Sequence, residues 1–270
     1  MDPLAACGFP DRAYGMEVIP VENTGIRGYL GAVYGELHIP ERELPIPLII
    51  LSHGLGGTHW DHLDYAHYFL EQGFAVFNFD FCGGSTQSQS EGSMLDMSVL
   101  TEEGDLETIV RHFKGDPRFS HIFLWGASQG GFVSACTAAR VPDDVDAMIL
   151  EFPGFIIPKY ARENAGPNGR FPEKDSILGL DVGHVHCEDA VSFDAYELIQ
   201  NYKGDVLIPH GDRDEIVPLR YSERAQQAYE NAQLIVMPGE GHFLKSQPRI
   251  DAMVREAAFL KAHALSTTHI

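Results

Sequence analysis

The stretch His121-Ile122-Phe123-Leu124-Trp125-Gly126-Ala127-Ser128-Gln129-Gly130-Gly131-Phe132-Val133 decides how this chain is read. It begins as a short apolar run, narrows to small residues around Ser128, and continues into a helix-compatible segment. Strand, then G-x-S-x-G, then helix is the context a nucleophile elbow requires. The turn is so tight that the serine takes a strained backbone conformation and only small residues fit beside it. Its hydroxyl then stands clear of the sheet at a helix N-terminus, where partial positive charge favours an anion. The five-residue pattern alone says little, because glycine and serine are common. The apolar run before it and the helical pattern after it distinguish it from a βα turn that merely uses small residues.

Further apolar runs flank this element, at 47–54, 74–81, 147–152, 205–211 and 233–239. Runs without alternation read as strands covered on both faces, which predicts a parallel sheet between layers of helix. The runs 16–22 and 28–40 read as an antiparallel N-terminal pair, with Asn23-Thr24-Gly25 as their turn. Helical stripes lie between the strands. Leu63, Ala66 and Leu70 share one face, with Asp61 as expected cap and Gly73 as stop; Leu106, Ile109, Val110 and Phe113 make a second stripe; Phe132, Cys136 and Ala139 make a third. Residues 219–229 and 250–263 supply two more, the last with Met253, Ala257 and Leu260 on one face. This alternation is the mark of a doubly wound α/β fold. Residues 155–204 break it, with three prolines, scattered aromatics and no apolar strand. A structureless loop of that length does not suit a compact domain. The segment is therefore expected to be an inserted cap, with a helix near 194–202, leaving 1–154 and 205–270 as the core.

A serine hydroxyl needs a base to take its proton. Of thirteen histidines, His242 is placed best, in Gly239-Glu240-Gly241-His242-Phe243 directly after the last apolar run. That position is the C-terminal edge of the sheet, where Ser128 also lies. The base needs an acid to hold its tautomer. Asp212 and Asp214 both follow the run 205–211, and residue reasoning does not separate them. An oxyanion needs backbone N–H donors: one from Gln129, after the serine, and one from the glycine-rich loop Ser52-His53-Gly54-Leu55-Gly56-Gly57. In that loop His53 reads as an orienting residue rather than a base. The groups His59/His62/His67 and His184/His186/Cys187 match no metal-ligand spacing well enough to outweigh surface or cap roles, so no metal and no cofactor is expected.

The chain has 270 residues, 44% hydrophobic and 21% charged, which provides ample material for a core. Thirty-nine acidic against nineteen basic residues give a formal net charge of −20. Such a surface repels phosphate backbones and anionic lipid, so neither nucleic acid nor membrane is an expected partner; a small-molecule ester is, with a homo-oligomer left open. The first fifteen residues show no basic n-region and no sustained apolar h-region. With four dispersed cysteines (Cys7, Cys82, Cys136, Cys187) this predicts a cytoplasmic protein with reduced thiols.

These motifs resemble the α/β-hydrolase superfamily over nearly the full length: H-G-L-G-G at 53–57, G-A-S-Q-G-G at 126–131, H-G-D-R-D-E-I-V-P at 210–218 and G-E-G-H-F at 239–243, in the family order Ser, Asp, His. The resemblance implies an α/β-hydrolase fold: a mostly parallel sheet flanked by helices, an N-terminal antiparallel hairpin, and a cap between the sixth and seventh strands. It selects Asp214, last in a G-x-x-D element, over Asp212, and it places the second oxyanion donor at Leu55. Pro209, inside the strand before Asp214, departs from the pattern, since it removes a ladder hydrogen bond. Within the superfamily the chain is most similar to the intracellular cinnamoyl (feruloyl) esterases and kindred carboxylesterases of anaerobic gut bacteria. The shared features are the hairpin, the F-D-F-x-G-type turn at 79–84 and a modest cap. The implied activity is serine carboxylesterase chemistry, with Ser128 as nucleophile, His242 as base and Asp214 as orienting acid. Phe155, Tyr160, Phe171 and Tyr196 of the cap are expected to line an apolar slot. The rival readings are a peptidase of aminopeptidase type, a lyase or acyltransferase on the same triad, and a non-catalytic binding protein on the same fold.

Overall fold

The computed structural model describes residues 17–21 and 25–266. In chain order the elements are β1 (Glu17–Val21), β2 (Gly35–Ile39), β3 (Ile46–Ser52), α1 (Leu63–Glu71), β4 (Ala75–Phe79), α2 (Val99–Lys114), β5 (Phe119–Ala127), α3 (Gln129–Arg140), β6 (Ala147–Glu151), α4 (Ile157–Asn164), β7 (Lys174–Ile177), β8 (Leu180–Gly183), α5 (His184–Val191), α6 (Ala195–Leu198), β9 (Asp205–Gly211), α7 (Arg220–Ala228), β10 (Ala232–Met237) and α8 (Ser246–Ser266). Eight of the strands form one sheet in the order β1-β2-β4-β3-β5-β6-β9-β10. β1 and β2 pair antiparallel, as do β2 and β4; from β4 onward every pairing is parallel.

The pleat sends alternate residues to opposite faces, and both faces are apolar. From β3, Leu48 and Ile50 join the core beneath α2 and α3, while Ile49 and Leu51 join the core beneath α1 and α8. β5 repeats the division with Ile122 and Leu124 against Phe123 and Trp125, and β6 with Met148 and Leu150 against Ala147 and Ile149. Runs that are apolar at every position are therefore required here. β10 is the exception. It is an edge strand, paired only with β9, and Val236 lies exposed, unlike the doubly covered strand its composition suggested.

Several boundaries differ from the sequence reading. β2 starts only at Gly35, because Gly28 N–H closes a turn onto Gly31 O, and only an isolated bridge joins Arg27 to Ala32. The expected turn residues Asn23 and Thr24 lie outside the described residues, as does Cys7. Asp61 does not cap α1: its carboxylate accepts from the Thr58 amide at 2.6 Å, and the helix begins after His62. Ser98 caps α2 instead, exchanging hydrogen bonds with Thr101 in a capping box.

Residues 155–204 hold α4, the antiparallel hairpin β7–β8, α5 and α6. The expected helix near 194–202 is α6 followed by a 3-10 turn, and Asp194 caps it by accepting from the Tyr196 and Glu197 amides. The segment has no core of its own. Phe155, Ala161, Cys187, Ala190, Ala195, Ile199 and Tyr202 join the same apolar cluster as α2 and α3.

Candidate active site

Ser128 sits between β5 and α3 with φ 53°, ψ −118°, a left-handed conformation that few non-glycine residues adopt. Three backbone hydrogen bonds hold it there: Ser128 N–H to Glu151 O at 3.0 Å, Gly154 N–H to Ser128 O at 2.7 Å and Phe132 N–H to the same oxygen at 3.1 Å. The glycines are sterically required. A Cβ on Gly126 would meet the Gly130 carbonyl, and one on Gly130 would meet the Ser52 and His53 carbonyls. Such strain persists only where its surroundings over-determine it, and it exposes the side chain.

His242 stands on the loop after β10. Its Nε2 lies 2.9 Å from Ser128 Oγ and its Nδ1 2.7 Å from Asp214 Oδ2. The partners assign the tautomer: Nδ1–H donates to the carboxylate, and Nε2 accepts from the serine hydroxyl. The ring is 6% exposed and packs against Phe152 at 4.6 Å between centroids. Phe152 also has positive φ (36°), its N–H donating to Pro209 O at 2.9 Å. Close contact between Gly211 and Glu240, together with the hydrogen bond from Arg213 N–H to Glu240 O, ties the acid loop to the histidine loop.

The two aspartates have different work. Asp212 is exposed and its Oδ1 accepts from Gly239 N–H at 2.7 Å, pinning the turn after β10. Asp214 is buried; Oδ1 accepts from the amides of Ile216 (2.9 Å) and Val217 (2.8 Å), leaving Oδ2 for His242. Burial pushes its pKa up, but hydrogen bonds from His210, His242 and the Val217 amide outweigh that and hold the carboxyl well below the usual range. His210 was not anticipated. Its Nε2 lies 2.8 Å from Val217 O and 3.2 Å from Asp214 Oδ2, and its Nδ1 accepts from Ser222 Oγ at 2.7 Å. Pro209 leaves this loop in register. The β6–β9 ladder ends at Ile149 opposite Leu207, so the proline's missing donor, on the same side as its carbonyl, falls beyond that ladder.

The loop 53–57 passes beside the serine, so close that a Cβ on Gly54 would crowd Ser128 Cβ. His53 orients the loop: Nδ1–H donates to Gly54 O at 2.8 Å and Nε2 accepts from Phe81 N–H at 3.0 Å, while burial lowers its pKa and keeps it neutral. Among the described residues, no hydrogen bond within the protein engages the Leu55 or Gln129 amides. The Gln129 side chain is fixed by Glu102 and His186, contacts that no motif announces.

Each of the four aromatics is engaged in contacts of its own. Phe155, 2% exposed, is sealed between the rings of Phe132 and Tyr196 and offers no surface to a substrate. Tyr196 carries Arg224 over its face at 3.8 Å and donates to Tyr221 O. Tyr160 bonds Asp175 and Ser176, and Phe171 packs on the main core. The apolar surface of Phe155, Phe171 and Tyr196 is used in packing the segment on the main core. The side chain that reaches the loop 53–57 is Leu180 of the β7–β8 hairpin, seated on Gly56 and packed with Leu55, Met94 and Met97. The histidine groups hold no metal-like arrangement either. His62 packs on Trp125, His59 bonds Asp80 at 2.7 Å, and His184 pairs with Glu188.

Sheet order, elbow and loop placement together define the α/β-hydrolase fold. The sequence profile of the family described as Serine aminopeptidase, S33 matches residues 44–171. Among curated proteins, the quorum-quenching protein AidA of Acinetobacter baumannii (strain MDR-ZJ06) is 30% identical over 109 residues, 38% of this chain. The match spans about a third (34%) of that relative's length. Among solved structures, ferulic acid-bound Est1E from Butyrivibrio proteoclasticus superposes with a TM-score of 0.77 at 24% identity, covering 86% of this chain and 95% of that one. The Paleococcus ferrophilus monoacylglycerol lipase gives 0.67 at 18% identity, covering 86% and 99%. The chain thus has the fold of α/β-hydrolase esterases and resembles them.

Proposed function

We propose that this protein is a serine hydrolase of carboxylic esters working through an acyl-enzyme. The observation that carries the reading is the continuous relay Ser128 Oγ–His242 Nε2 (2.9 Å) and His242 Nδ1–Asp214 Oδ2 (2.7 Å), set on a strained elbow. In this reading His242 takes the serine proton as Oγ attacks the ester carbonyl, and Asp214 stabilises the imidazolium that forms. The amides of Leu55 and Gln129 receive the oxyanion, and His242 returns the proton to the leaving alcohol. Water, activated by the same imidazole, then releases the acid.

The likeness to ferulic acid-bound Est1E supports hydroxycinnamoyl or other small aromatic and acyl esters as substrates. Residues 155–204 act in this proposal as the selectivity element, since Leu180 reaches the loop that carries Leu55. A second reading, a peptidase of aminopeptidase type, is favoured by the family profile over 44–171. A panel of p-nitrophenyl acyl esters, methyl ferulate and aminoacyl anilides separates the two. Turnover of esters without anilides supports the first reading, and the reverse order supports the second.

A further inference from the structure

Gln129 has two parts facing two ways. Its backbone amide opens α3 beside Ser128, while its side chain is 97% buried away from solvent, as its 3% exposure shows. There Nε2–H donates to Glu102 Oε2 of α2 at 2.9 Å and lies 3.5 Å from Met97 Sδ, and Oε1 accepts from His186 Nε2–H of α5 at 3.1 Å. Both partners are about 1% exposed. A buried carboxyl and a buried imidazole are costly unless they do something for the native state. Neither touches the triad.

We propose that Glu102 and His186 are positioning residues for the oxyanion donor: they clamp the Gln129 side chain from α2 and α5, and Glu102 does so in its uncharged form. This rests on the acyl-enzyme reading above. First, with a carboxyl oxygen on one side and an imidazole N–H on the other, the amide of Gln129 has one satisfied orientation. The first turn of α3 then cannot swivel, and the N–H beside Ser128 keeps its aim. Second, a carboxylate at Glu102 would place a negative charge one residue's length from a developing oxyanion, inside a low-dielectric wall. Burial lifts the Glu102 pKa to about 8, with Asp105 on the same helix adding to the rise and the Gln129 hydrogen bond opposing it. Burial lowers that of His186 to about 4, so the imidazole is neutral.

The other charged groups around Glu102 are engaged elsewhere. Asp105 accepts from the Tyr29 and Cys82 amides. On α5, Asp189 bonds the Ser98 hydroxyl and His184 pairs with Glu188. On α3, Arg140 pairs with Glu103. On β5 the titratable group is His121, at the strand's opposite end. Burial also lifts the pKa of Glu103 to about 7, but its carboxyl faces Arg140 rather than Gln129, so the alkaline response that reaches the oxyanion donor is assigned to Glu102.

The test measures kcat and KM for p-nitrophenyl acetate from pH 6 to about 9.5, with fluorophosphonate labelling of the serine in each variant. Glu102→Ala and His186→Ala should lower kcat by about 10- to 100-fold with KM within about twofold of wild type. Glu102→Gln and His186→Gln, which keep an acceptor and a donor in reach, should recover to within about threefold. Wild-type kcat should fall as pH rises through about 8, and Glu102→Gln should lose that fall. Folded alanine variants with wild-type kcat, or an alkaline limb retained in Glu102→Gln, would overturn the clamp. If the alanine variants do not fold, the glutamine variants and the alkaline limb decide alone. A folded wild type that is neither labelled nor turns over ester would sink the acyl-enzyme reading itself, a result distinguishable from failure of the clamp.

Discussion

The loops after β5, β9 and β10 and the segment 155–204 face one another across the same edge of the sheet, yet they are built by different means. The loops are held by backbone geometry and short polar contacts: positive φ at Ser128 and Phe152, carbonyls packed against glycines, and amides on Asp214. The segment is held by apolar packing, with Phe155, Ala190, Ile199 and Tyr202 sunk into the core under α3. Geometry of the first kind accepts one residue type at each position. Packing of the second kind accepts any side chain of suitable volume. The loops therefore carry motifs, and the segment does not.

Substitutions should expose the difference. The largest effect is expected at Ser128→Ala, which removes the proposed nucleophile and should lower kcat by ~10⁶ while leaving the circular dichroism spectrum unchanged. Retention of a tenth of the activity would move the nucleophile elsewhere. Next comes the contrast within one loop. Asp214→Asn should lower kcat by ~10⁴ through loss of the tautomer-holding carboxylate. Asp212→Asn, which keeps an oxygen able to accept from Gly239 N–H and loses only the charge, should cost less than about tenfold. The opposite ranking would show that the acid loop works in another arrangement.

In the packed segment the readout should change from rate to stability. Phe155→Ala leaves a void between Phe132 and Tyr196 and should cost about 3–5 kcal/mol, seen as a lowered urea midpoint. Tyr160→Phe gives up only hydrogen bonds at 3.3 and 3.5 Å and should stay within about 1 kcal/mol. If Phe155→Ala instead raised KM for aromatic esters at unchanged stability, the ring would be a substrate contact after all.

The remaining effect concerns protons. Glu102 has a folded pKa of about 8 against 4.5 as its ordinary value. For a raised acid, the native state binds more protons than the unfolded chain between those values. Its stabilising contribution is whole below about 4.5 and is lost as pH rises towards 8. Glu102→Gln removes the titration. The difference in stability, variant minus wild type, should therefore grow from pH 5 to about 8 and then level off. A difference that stays flat would mean that Glu102 is ionised in the folded protein.

The sheet was readable because β3, β5 and β6 are apolar at successive positions, which is what two covered faces demand. Ser128 and His242 were readable because the turns around them admit few residues. Asp214 and Asp212 were not separable from residue types alone, since both follow β9 closely; what distinguishes them is which carboxylate meets His242 and which meets Gly239. The β7–β8 hairpin was invisible because Lys174–Ile177 and Leu180–Gly183 are four residues each, largely polar, and pair only with one another. The sealed position of Phe155 was unreadable for a related reason: a ring that anchors an insertion and a ring that grips a substrate have the same composition. The contacts of Gln129 with Glu102 and His186 span 27 and 57 positions, so no local pattern records them.

In the proposed mechanism Ser128, activated through His242, forms the acyl-enzyme. Intact-mass analysis after brief mixing with p-nitrophenyl acetate at low pH, followed by peptide mapping, tests it most directly. One acetyl adduct per chain on the peptide carrying Ser128, absent from Ser128→Ala and from His242→Ala, is the predicted result. Hydrolysis by the folded protein with the adduct on another residue, or undiminished in Ser128→Ala, would contradict it.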